Sequence, residues 1–349
     1  MARPVAGLAA ETLAAARRIV AVDVPSGVDG ATGATLGFAP QAELTVTFFR
    51  LKPGHMLFPG RGLCGEILVR DIGMPVAVLD TIQPKAWVNL PDLWSLPVPG
   101  AADHKYTRGH VSILGGAEMT GAARLAAAGA RRAGAGLVSI VATANGDVYR
   151  AGEPGVIVTE SPLQELLADA RRNIWICGPG LGVAAARTAL PVLLAARRVV
   201  VGDADVFGAF AGDPDALTGC AVLTPHLGEF SRVFGAPGQD RLDAARAASA
   251  RTGAVLVLKG ADTVIAAPDG RVAINNAAPP WLATAGAGDV LAGMIGGLLG
   301  QGMAAWEAAC AAVWLHGRAA ALGGAGLVAE DISSLIPHAI REISDIGMP

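Results

Sequence analysis

A run of small residues that ends in one carboxylate is the strongest chemical signal in this sequence. The run, Thr284-Ala-Gly-Ala-Gly-Asp289, is followed at once by an apolar stretch over residues 290–299 that predicts a helix. Small residues at a helix start leave backbone N–H groups open to phosphate oxygens, but a carboxylate would repel a ligand that is only phosphate. Asp289 is therefore a candidate base for a hydroxyl group about to be phosphorylated, and its alternative role is a helix N-cap. The helix dipole should keep this carboxylate ionised, so its position rather than high basicity would supply its effect.

Lys259 is the second candidate, because it joins an apolar strand over residues 255–258 to the turn Lys259-Gly-Ala-Asp-Thr263. Only four of the 27 basic residues are lysines, so arginine is the usual basic residue of this chain. A lysine at the end of an apolar strand therefore indicates a specific function for that residue. Its ammonium can meet phosphate as a point charge, and the backbone amides of the turn, with Thr263, can bind further oxygens. The alternative is that Lys259 merely extends from the strand end to water.

Two further polar residues follow a strand candidate at residues 221–223, in Thr224-Pro-His226-Leu-Gly-Glu229. Ligands bind α/β sheets at the carboxyl ends of the strands, so His226 is placed to meet a substrate and Glu229 to meet phosphate-bound Mg²⁺. A single histidine near a glutamate is often structural, and the motif taken alone is a weak indication.

A fourth motif favours a different class of protein. Cys177-Gly-Pro-Gly-Leu-Gly182-Val-Ala-Ala185 follows a strand, and Asp203 comes about twenty residues later, close to the G-x-G-x-x-A dinucleotide fingerprint. An NAD-dependent dehydrogenase is therefore a rival hypothesis. Pro179 argues against it because it removes an amide from the turn. The sequence has no G-x-x-x-x-G-K-[ST] loop, so a P-loop NTPase is not expected.

The composition favours a small-molecule partner over nucleic acid or a membrane. The chain is 52% hydrophobic and 16% charged, with a formal net charge of -3 and no long run of one sign. The uncharged stretches 272–288 and 290–306 are too short to cross a bilayer, and the N-terminal apolar stretch is too short for a signal peptide. The four cysteines lie far apart and form no metal-type or redox pair, so we expect reduced thiols in a cytoplasmic protein.

Short apolar runs alternate with alanine-rich helical stretches, which predicts an α/β fold on a mainly parallel sheet. A proline-rich stretch over residues 83–103 is expected to connect two domains. Strands are predicted at 19–22, 44–48, 66–69, 111–114, 137–141, 174–177, 199–201, 221–223 and 255–258, and helices at 121–133, 184–196, 240–252, 290–299 and 304–322.

Seven motifs in order resemble the ADP-dependent NAD(P)H-hydrate dehydratases, which have a ribokinase-like three-layer α/β/α fold. The resemblance covers residues 87–343 and predicts domains at 1–84 and 85–345. The motifs are His104-Lys-Tyr-Thr-Arg-Gly-His110, Gly115-Gly116 to Met119-Thr-Gly-Ala-Ala123, Gly178-Pro-Gly-Leu-Gly182, Asp203-Ala-Asp205, Thr224-Pro-His-Leu-Gly-Glu229, Lys259-Gly-Ala-Asp-Thr263 and Thr284 to Asp289.

The resemblance implies that ADP, or ATP in some members, drives removal of water from hydrated NADH or NADPH (NADHX or NADPHX), giving AMP and phosphate from ADP. Mg²⁺ would be held through the phosphates near Glu229. Two departures from the family pattern bear on substrate affinity more than on reaction type: Phe207 where asparagine is expected, and Ala277-Ala-Pro-Pro-Trp281 before the anion hole. The implied nucleotide-binding residues are Lys259, Gly260, Ala261, Asp262, Thr263 and Gly288, and the implied hydrate-binding residues are Ala122, Gly182, His226 and Asp289.

The first 84 residues are similar to the C-terminal half of an NAD(P)H-hydrate epimerase domain, and we expect a partial Rossmann-like lobe. The similarity lies in Ile19-Val-Ala-Val-Asp23-Val-Pro-Ser26-Gly-Val-Asp29, Thr45-Val-Thr-Phe48, Lys52-Pro-Gly54 and Gly65-Glu-Ile-Leu-Val-Arg-Asp71. It implies that Asp23 contacts the hydrate and that Ser26 binds K⁺. The asparagine- and glycine-rich loop of that family does not precede this segment, so we expect no epimerase activity from this chain as given.

Two alternatives to the dehydratase remain open from the sequence. One is a small-molecule kinase of the same fold, of the hydroxyethylthiazole or sugar kinase type, since an anion hole with an aspartate serves both reactions. The other is a catalytically idle nucleotide-binding protein. The high apolar content also predicts a symmetric homo-oligomer.

Overall fold

The computed structural model describes residues 4–346, and the chain forms two compact units. One unit comprises the residues up to Val88 together with Gly238–Ala244, and the other comprises Asn89–Pro237 and the chain from Ala245 onward. The sequence-based domain bounds, 1–84 and 85–345, stay a prediction, and residues 1–3 of the first lie outside the described residues.

The smaller unit contains a three-stranded parallel sheet in the order β1-β2-β3. Burial alternates along β2, whose Thr45 and Thr47 are buried, as expected when one face of a sheet is covered. Its strands are β1 (Val20–Val22), β2 (Leu44–Phe48) and β3 (Glu66–Arg70), its helices α1 (Gly7–Ala15), α2 (Gly60–Leu63) and α3 (Val78–Ile82), and the short strand β4 (Ala86–Val88) ends this part of the chain.

The larger unit contributes nine described strands to one mixed sheet, in the order β13-β12-β11-β10-β9-β8-β5-β6-β7. The strands from β5 to β11 are parallel, whereas β11, β12 and β13 pair antiparallel. Most of these strands are buried along their whole length, as strands covered on both faces are. They are β5 (His110–Gly115), β6 (Leu137–Ala142), β7 (Ile157–Thr159), β8 (Ile174–Cys177), β9 (Val199–Gly202), β10 (Val222–Leu223), β11 (Val255–Leu258), β12 (Thr263–Ala266) and β13 (Val272–Asn275).

Two groups of helices are built on this sheet through α4, α11, α12 and α7, which contact its strands, in agreement with the predicted α/β/α layering. One group contains α4, α11, α12 and α13, and the other contains α7, α8 and α9. The helices are α4 (Thr120–Arg132), α5 (Gly146–Arg150), α6 (Leu163–Leu167), α7 (Val183–Ala195), α8 (Asp205–Ala209), α9 (Leu227–Phe234), α10 (Arg241–Thr252), α11 (Ala287–Gly300), α12 (Ala305–Gly323) and α13 (Ala329–Ile346).

Small residues set the distance between α4 and α11. A Cβ atom added to Gly293 would lie 2.0 Å from the carbonyl oxygen of Ala126, and one added to Gly129 would lie 2.4 Å from that of Val290. Any larger residue would push the helices apart. The two glycines therefore fix the first half of α11 close to the middle of α4.

The predicted α/β class is confirmed, and each predicted strand matches an observed strand to within two residues. The strands that were not predicted are β4, β7, β12 and β13, and the helices that were not predicted are α1, α2, α3, α5, α6, α8, α9 and α13. None of the described helices is both long and apolar enough to cross a bilayer.

Candidate active site

Lys259 lies where β11 ends, as predicted, and the turn after it is closed by Thr263. The N–H of Lys259 donates to the carbonyl of Pro225 at 2.8 Å, which ties the turn to the end of β10. The hydroxyl of Thr263 donates to the carbonyl of Gly260 at 2.9 Å and accepts from the N–H of Gly260 at 3.2 Å. Gly260 and Ala261 are exposed while Asp262 is buried, so the outer residues of the turn are open to a ligand.

The ammonium of Lys259 forms a buried ion pair with Asp203, for which the sequence suggested a role only under the dehydrogenase hypothesis. Nζ lies 2.7 Å from Oδ1 of Asp203 and 3.9 Å from Oε2 of Glu229. The side chains of Lys259 and Asp203 are 20% and 2% exposed. Burial by itself would lower the pKa of Lys259, but the Asp203 and Glu229 carboxylates raise it above its ordinary value. Lys259 is therefore a permanent cation and does not merely extend to water.

His226 and Glu229 form a capping box at the start of α9. Nδ1 of His226 accepts from the N–H groups of Gly228 and Glu229 at 3.0 and 3.3 Å, and Oε2 of Glu229 accepts from the N–H of His226 at 2.8 Å. Nδ1 is thus an acceptor, and the His226 side chain is exposed. The capping box gives the pair a structural role at the start of α9, and Nε2 of His226 lies 3.5 Å from Oε1 of Glu229.

Asp289 is the third residue of α11, and its surroundings change its chemistry. A Cβ atom added to its neighbour Gly288 would lie 3.3 Å from Nζ of Lys259, which brings the first turn of α11 to the lysine. Burial, followed by the charge of Asp203, raises the pKa of Asp289 to about 7 despite the opposing effect of Lys259. The expectation that the helix dipole keeps this group a weak base is wrong, because desolvation and neighbouring carboxylates outweigh the dipole.

Ala122 packs against the loop after β8, and Gly182 of that loop is bonded to the turn after β9, which carries two aspartates. The N–H of Gly182 donates to Oδ2 of Asp205 at 2.8 Å, and a Cβ atom on Gly180 would lie 3.0 Å from Cβ of Ala122. Ala122 is buried and Gly182 is exposed. These residues therefore form a wall beside the site, in which Gly182 faces outward.

The dehydrogenase hypothesis does not fit this geometry. Its fingerprint needs an acidic side chain that is open to bind ribose hydroxyls. The carboxylate of Asp203 is buried and already bonded to Lys259. A Cβ atom on Gly178 would lie only 1.7 Å from the carbonyl oxygen of Asp203, so this glycine serves close packing between two strand ends.

His316 is a second residue that the sequence reasoning missed. Its Nε2 lies 2.9 Å from the carbonyl oxygen of Ala287, in the first turn of α11. Burial lowers the pKa of His316 to about 4, so the ring is neutral and Nε2–H donates. The available signal was the position of a histidine within the apolar stretch Val313-Trp-Leu-His316-Gly317.

In the smaller unit, Asp23 lies in a separate polar cluster. Lys52 donates to Oδ1 of Asp23, and the Thr47 hydroxyl donates to the same oxygen at 2.8 Å. Nε2 of His55 lies 2.7 Å from the carbonyl oxygen of Asp23. Burial by itself would raise the pKa of Asp23, but the hydrogen bonds from Lys52 and Thr47 lower it. Ser26 is exposed in the following turn, and its predicted K⁺ contact stays a prediction.

Comparison with known families bears directly on this arrangement. The sequence model of the family described as NAD(P)H-hydrate dehydratase matches residues 111–340, which include Lys259, Asp289 and the residues around them. The chain belongs to the NAD(P)H-hydrate dehydratase family. A second model, described as YjeF-related protein N-terminus, matches residues 2–54.

Relatives of the dehydratase family support this assignment. The chain is 44% identical over 302 residues to a Mycobacterium tuberculosis protein named bifunctional NAD(P)H-hydrate repair enzyme Nnr. The match covers 85% of this chain and 61% of that relative, so the chain spans about three fifths of its length.

Two solved structures show the same fold. An ADP/ATP-dependent NAD(P)H-hydrate dehydratase from Bacillus subtilis, co-crystallised with ATP and Mg²⁺, is 31% identical with a TM-score of 0.62, covering 71% of this chain and 95% of that one. A ribokinase-like superfamily protein from Enterococcus faecalis is 25% identical with a TM-score of 0.66, covering 74% and 96%. The predicted ribokinase-like fold of the larger unit is thereby confirmed.

Proposed function

We propose that this chain removes water from hydrated NADH or NADPH at the expense of ADP or ATP. The observation that carries the proposal is the placement of Asp289, a carboxyl group with a pKa of about 7, at the amide-rich start of α11 beside the Lys259 ammonium. A general base is most effective when its pKa lies near the working pH. This combination of base, cation and open amides suits transfer of a phosphoryl group to a hydroxyl group.

The nucleotide is expected to bind along the turn Lys259–Thr263 and the start of α11. The exposed backbone of Gly260 and Ala261 can contact the nucleotide, while the Lys259 ammonium and the N–H groups near Gly288 meet its phosphates. The B. subtilis relative was co-crystallised with ATP and Mg²⁺, which supports a nucleotide in this family. Asp262 is buried, so we assign it to holding the turn rather than to direct contact.

The hydrate is expected to bind on the other side of Asp289, against the wall formed by Ala122 and Gly182. The exposed Gly182 lets the cofactor approach the backbone closely, because a Cβ atom there would meet no atom of the described residues within 4 Å. The His226 side chain is exposed, and its Nε2–H, which lies 3.5 Å from Oε1 of Glu229, can also donate to the amide or phosphate groups of the cofactor. Ala122 supplies shape, since its small side chain is buried against the loop.

In the proposed reaction Asp289 takes the proton of the ring hydroxyl while that oxygen bonds to the terminal phosphorus of the nucleotide. The bond from this phosphorus to the bridging oxygen breaks, and when the nucleotide is ADP the leaving group is AMP. The lone pair on the ring nitrogen then expels phosphate from the carbon, which breaks the C–O bond. Loss of a proton from the adjacent ring carbon to the departing phosphate restores the reduced nicotinamide.

The charge of the site is compatible with Mg²⁺. Four acidic side chains, Asp203, Asp205, Glu229 and Asp289, influence one another here, and Lys259 is the cation among them. No three metal-binding side chains converge within the described residues, so Glu229 would hold Mg²⁺ together with water and the nucleotide phosphates. When bound there, Mg²⁺ would offset the negative charge that develops on the transferred phosphoryl group.

A single assay tests the proposal. The chain is mixed with chemically hydrated NADH or NADPH, Mg²⁺ and either ADP or ATP, and the absorbance of reduced nicotinamide is followed. We expect the absorbance to return with release of AMP from ADP. A hydroxyethylthiazole or sugar alcohol is offered in a parallel reaction. If it is converted to a stable phosphorylated product while the nicotinamide absorbance does not return, the chain is a kinase.

The predicted homo-oligomer and cytoplasmic location stay predictions. Sedimentation of the purified chain would test the first directly.

A further inference from the structure

The turn between β9 and α8 holds two carboxylates in an unusual backbone. Ala204, between Asp203 and Asp205, has φ 48° and ψ -109°, a conformation that an alanine rarely adopts. The N–H of Asp203 donates to the carbonyl of Cys177 at 3.1 Å, and Gly178 packs against its carbonyl oxygen. A strained turn held from both sides is typical of residues with a functional task.

The two carboxylates of this turn point to different partners. Asp205 accepts from the N–H of Gly182 at 2.8 Å, at the wall assigned to the hydrate. Asp203 is 2% exposed and bonds Nζ of Lys259 at 2.7 Å, on the side assigned to the nucleotide. Since Asp203 is almost fully buried, it cannot contact either substrate extensively and must act through Lys259.

We propose that Asp203 is a positioning residue for the dehydration: its buried carboxylate holds the Lys259 ammonium beside the first turn of α11, where Asp289 and the bound phosphate meet it. The inference rests on the proposed function for the role of Asp289. A lysine has four rotatable side-chain bonds, and a fixed partner removes the need to order them when the nucleotide binds.

The electrostatics of Asp289 support this role. The negative charge of Asp203 is the main neighbouring charge that raises the pKa of Asp289, while the Lys259 ammonium lowers it. Removing the carboxylate of Asp203 therefore lowers the pKa of Asp289 in two ways. The repulsion between the two carboxylates is lost, and the Lys259 ammonium is free to move closer to Asp289. The charged or titratable groups that face this first turn are Asp203 and Asp205 after β9, Glu229 on α9, Lys259 after β11 and His316 on α12.

The first test compares the pH dependence of kcat/KM in the native chain and in Asp203→Asn. We expect kcat to fall at least about tenfold. The acidic limb of the kcat/KM profile, where protonation of Asp289 abolishes activity, should move to lower pH by at least about half a unit. The matched control is Asp215→Asn, which removes a carboxylate from an exposed ion pair with Arg251 and should change neither quantity. An acidic limb that stays in place in Asp203→Asn would overturn the proposal.

The second test does not depend on the dehydration itself. ADP binding is measured by calorimetry in the native chain, Asp203→Asn, Lys259→Met and the double variant. We expect Asp203→Asn to weaken binding about fivefold or more in the native background and less than about twofold when residue 259 is already methionine. Equal losses in both backgrounds would show that Asp203 does not act through Lys259. If the native chain binds ADP but does not dehydrate the hydrate, this cycle still decides the role of Asp203 while the proposed function fails.

A conservative variant covers the case in which Asp203→Asn does not fold. Asp203→Glu keeps the negative charge but moves it by one methylene, so we expect the acidic limb to stay near its native position while ADP binding weakens. Native ADP affinity in Asp203→Glu would contradict a role that depends on the position of the carboxylate.

Discussion

Each unit of this protein contains a lysine–aspartate pair, and the two pairs differ in burial and in the side chains that surround them. In the larger unit the side chains of Lys259 and Asp203 are 20% and 2% exposed, with Glu229 near the lysine. In the smaller unit those of Lys52 and Asp23 are 34% and 47% exposed. There the neighbours are the Thr47 hydroxyl and His55, whose pKa is lowered by burial.

The difference teaches how the same residue types produce different chemistry. Around Lys259 several carboxylates share one cation, and burial together with the charge of the neighbouring carboxylates raises the pKa of Asp289 to about 7. Around Lys52 a single carboxylate meets a single cation, and the pKa of Asp23 falls below its ordinary value because Lys52 and Thr47 donate to it. One site is prepared to take up a proton near neutral pH, whereas the other is not.

The largest expected effect is on turnover. Asp289→Asn keeps the shape of the side chain but cannot accept the hydroxyl proton, so we expect kcat to fall by about a thousandfold with ADP binding retained. Lys52→Met, in the other pair, should leave dehydration within about twofold of native. Rates from the nicotinamide absorbance assay check both, and a dehydration rate in Asp289→Asn close to native would break the comparison.

Stability should separate the two pairs next. Lys259→Met leaves the Asp203 carboxylate buried without its cation, and we expect the free energy of unfolding to fall by about 3–5 kcal/mol. Lys52→Met leaves the Asp23 carboxylate without its cation, but water already reaches this carboxylate. The free energy of unfolding should therefore fall by no more than about 1 kcal/mol. Urea denaturation of the two variants measures both values. Equal losses would mean that burial does not distinguish the pairs.

The pH dependence of stability gives a smaller effect with a definite sign. The pKa of Asp289 is about 7 in the folded chain and about 3.9 in the unfolded chain, so between these values the folded state binds the extra proton. Stability from this group is therefore fully present below about pH 4 and is lost as pH rises through about 7. Asp289→Asn does not undergo that loss. The free energy of unfolding of the variant minus that of the native chain should therefore be about 2.5 kcal/mol larger at pH 8 than at pH 5. A difference that is constant with pH, in urea denaturation at both values, would contradict the raised pKa.

The smallest expected effect concerns the epimers. We expect the chain as given to interconvert the R and S hydrates no faster than buffer does, because Asp23 is tied to Lys52 and Thr47 and its lowered pKa makes it a weak base. Chromatography of the R epimer incubated with the chain, without nucleotide, checks this. Rapid interconversion would show that the smaller unit is active despite this pairing.

Much of the fold followed from local patterns. Continuous apolar runs identified β8 and β11 because strands covered on both faces need no polar alternation. The antiparallel strands β12 and β13 were missed although Pro268-Asp-Gly270 between them is a turn signal. Helix α13 carries Pro337 in its interior, which hides its periodicity.

By itself the sequence determined which residues could do the chemistry, because Lys259 and Asp289 each lie at a boundary between an apolar element and a run containing small residues. Only the tertiary structure decided how they act. Asp203 and Lys259 are 56 residues apart in the chain, and the parallel sheet brings the ends of β9 and β11 together. The pKa of Asp289 depends on burial and on charges from three other segments. Interactions through space between distant segments leave no local sequence pattern, and for that reason the basicity inferred from the helix alone was wrong.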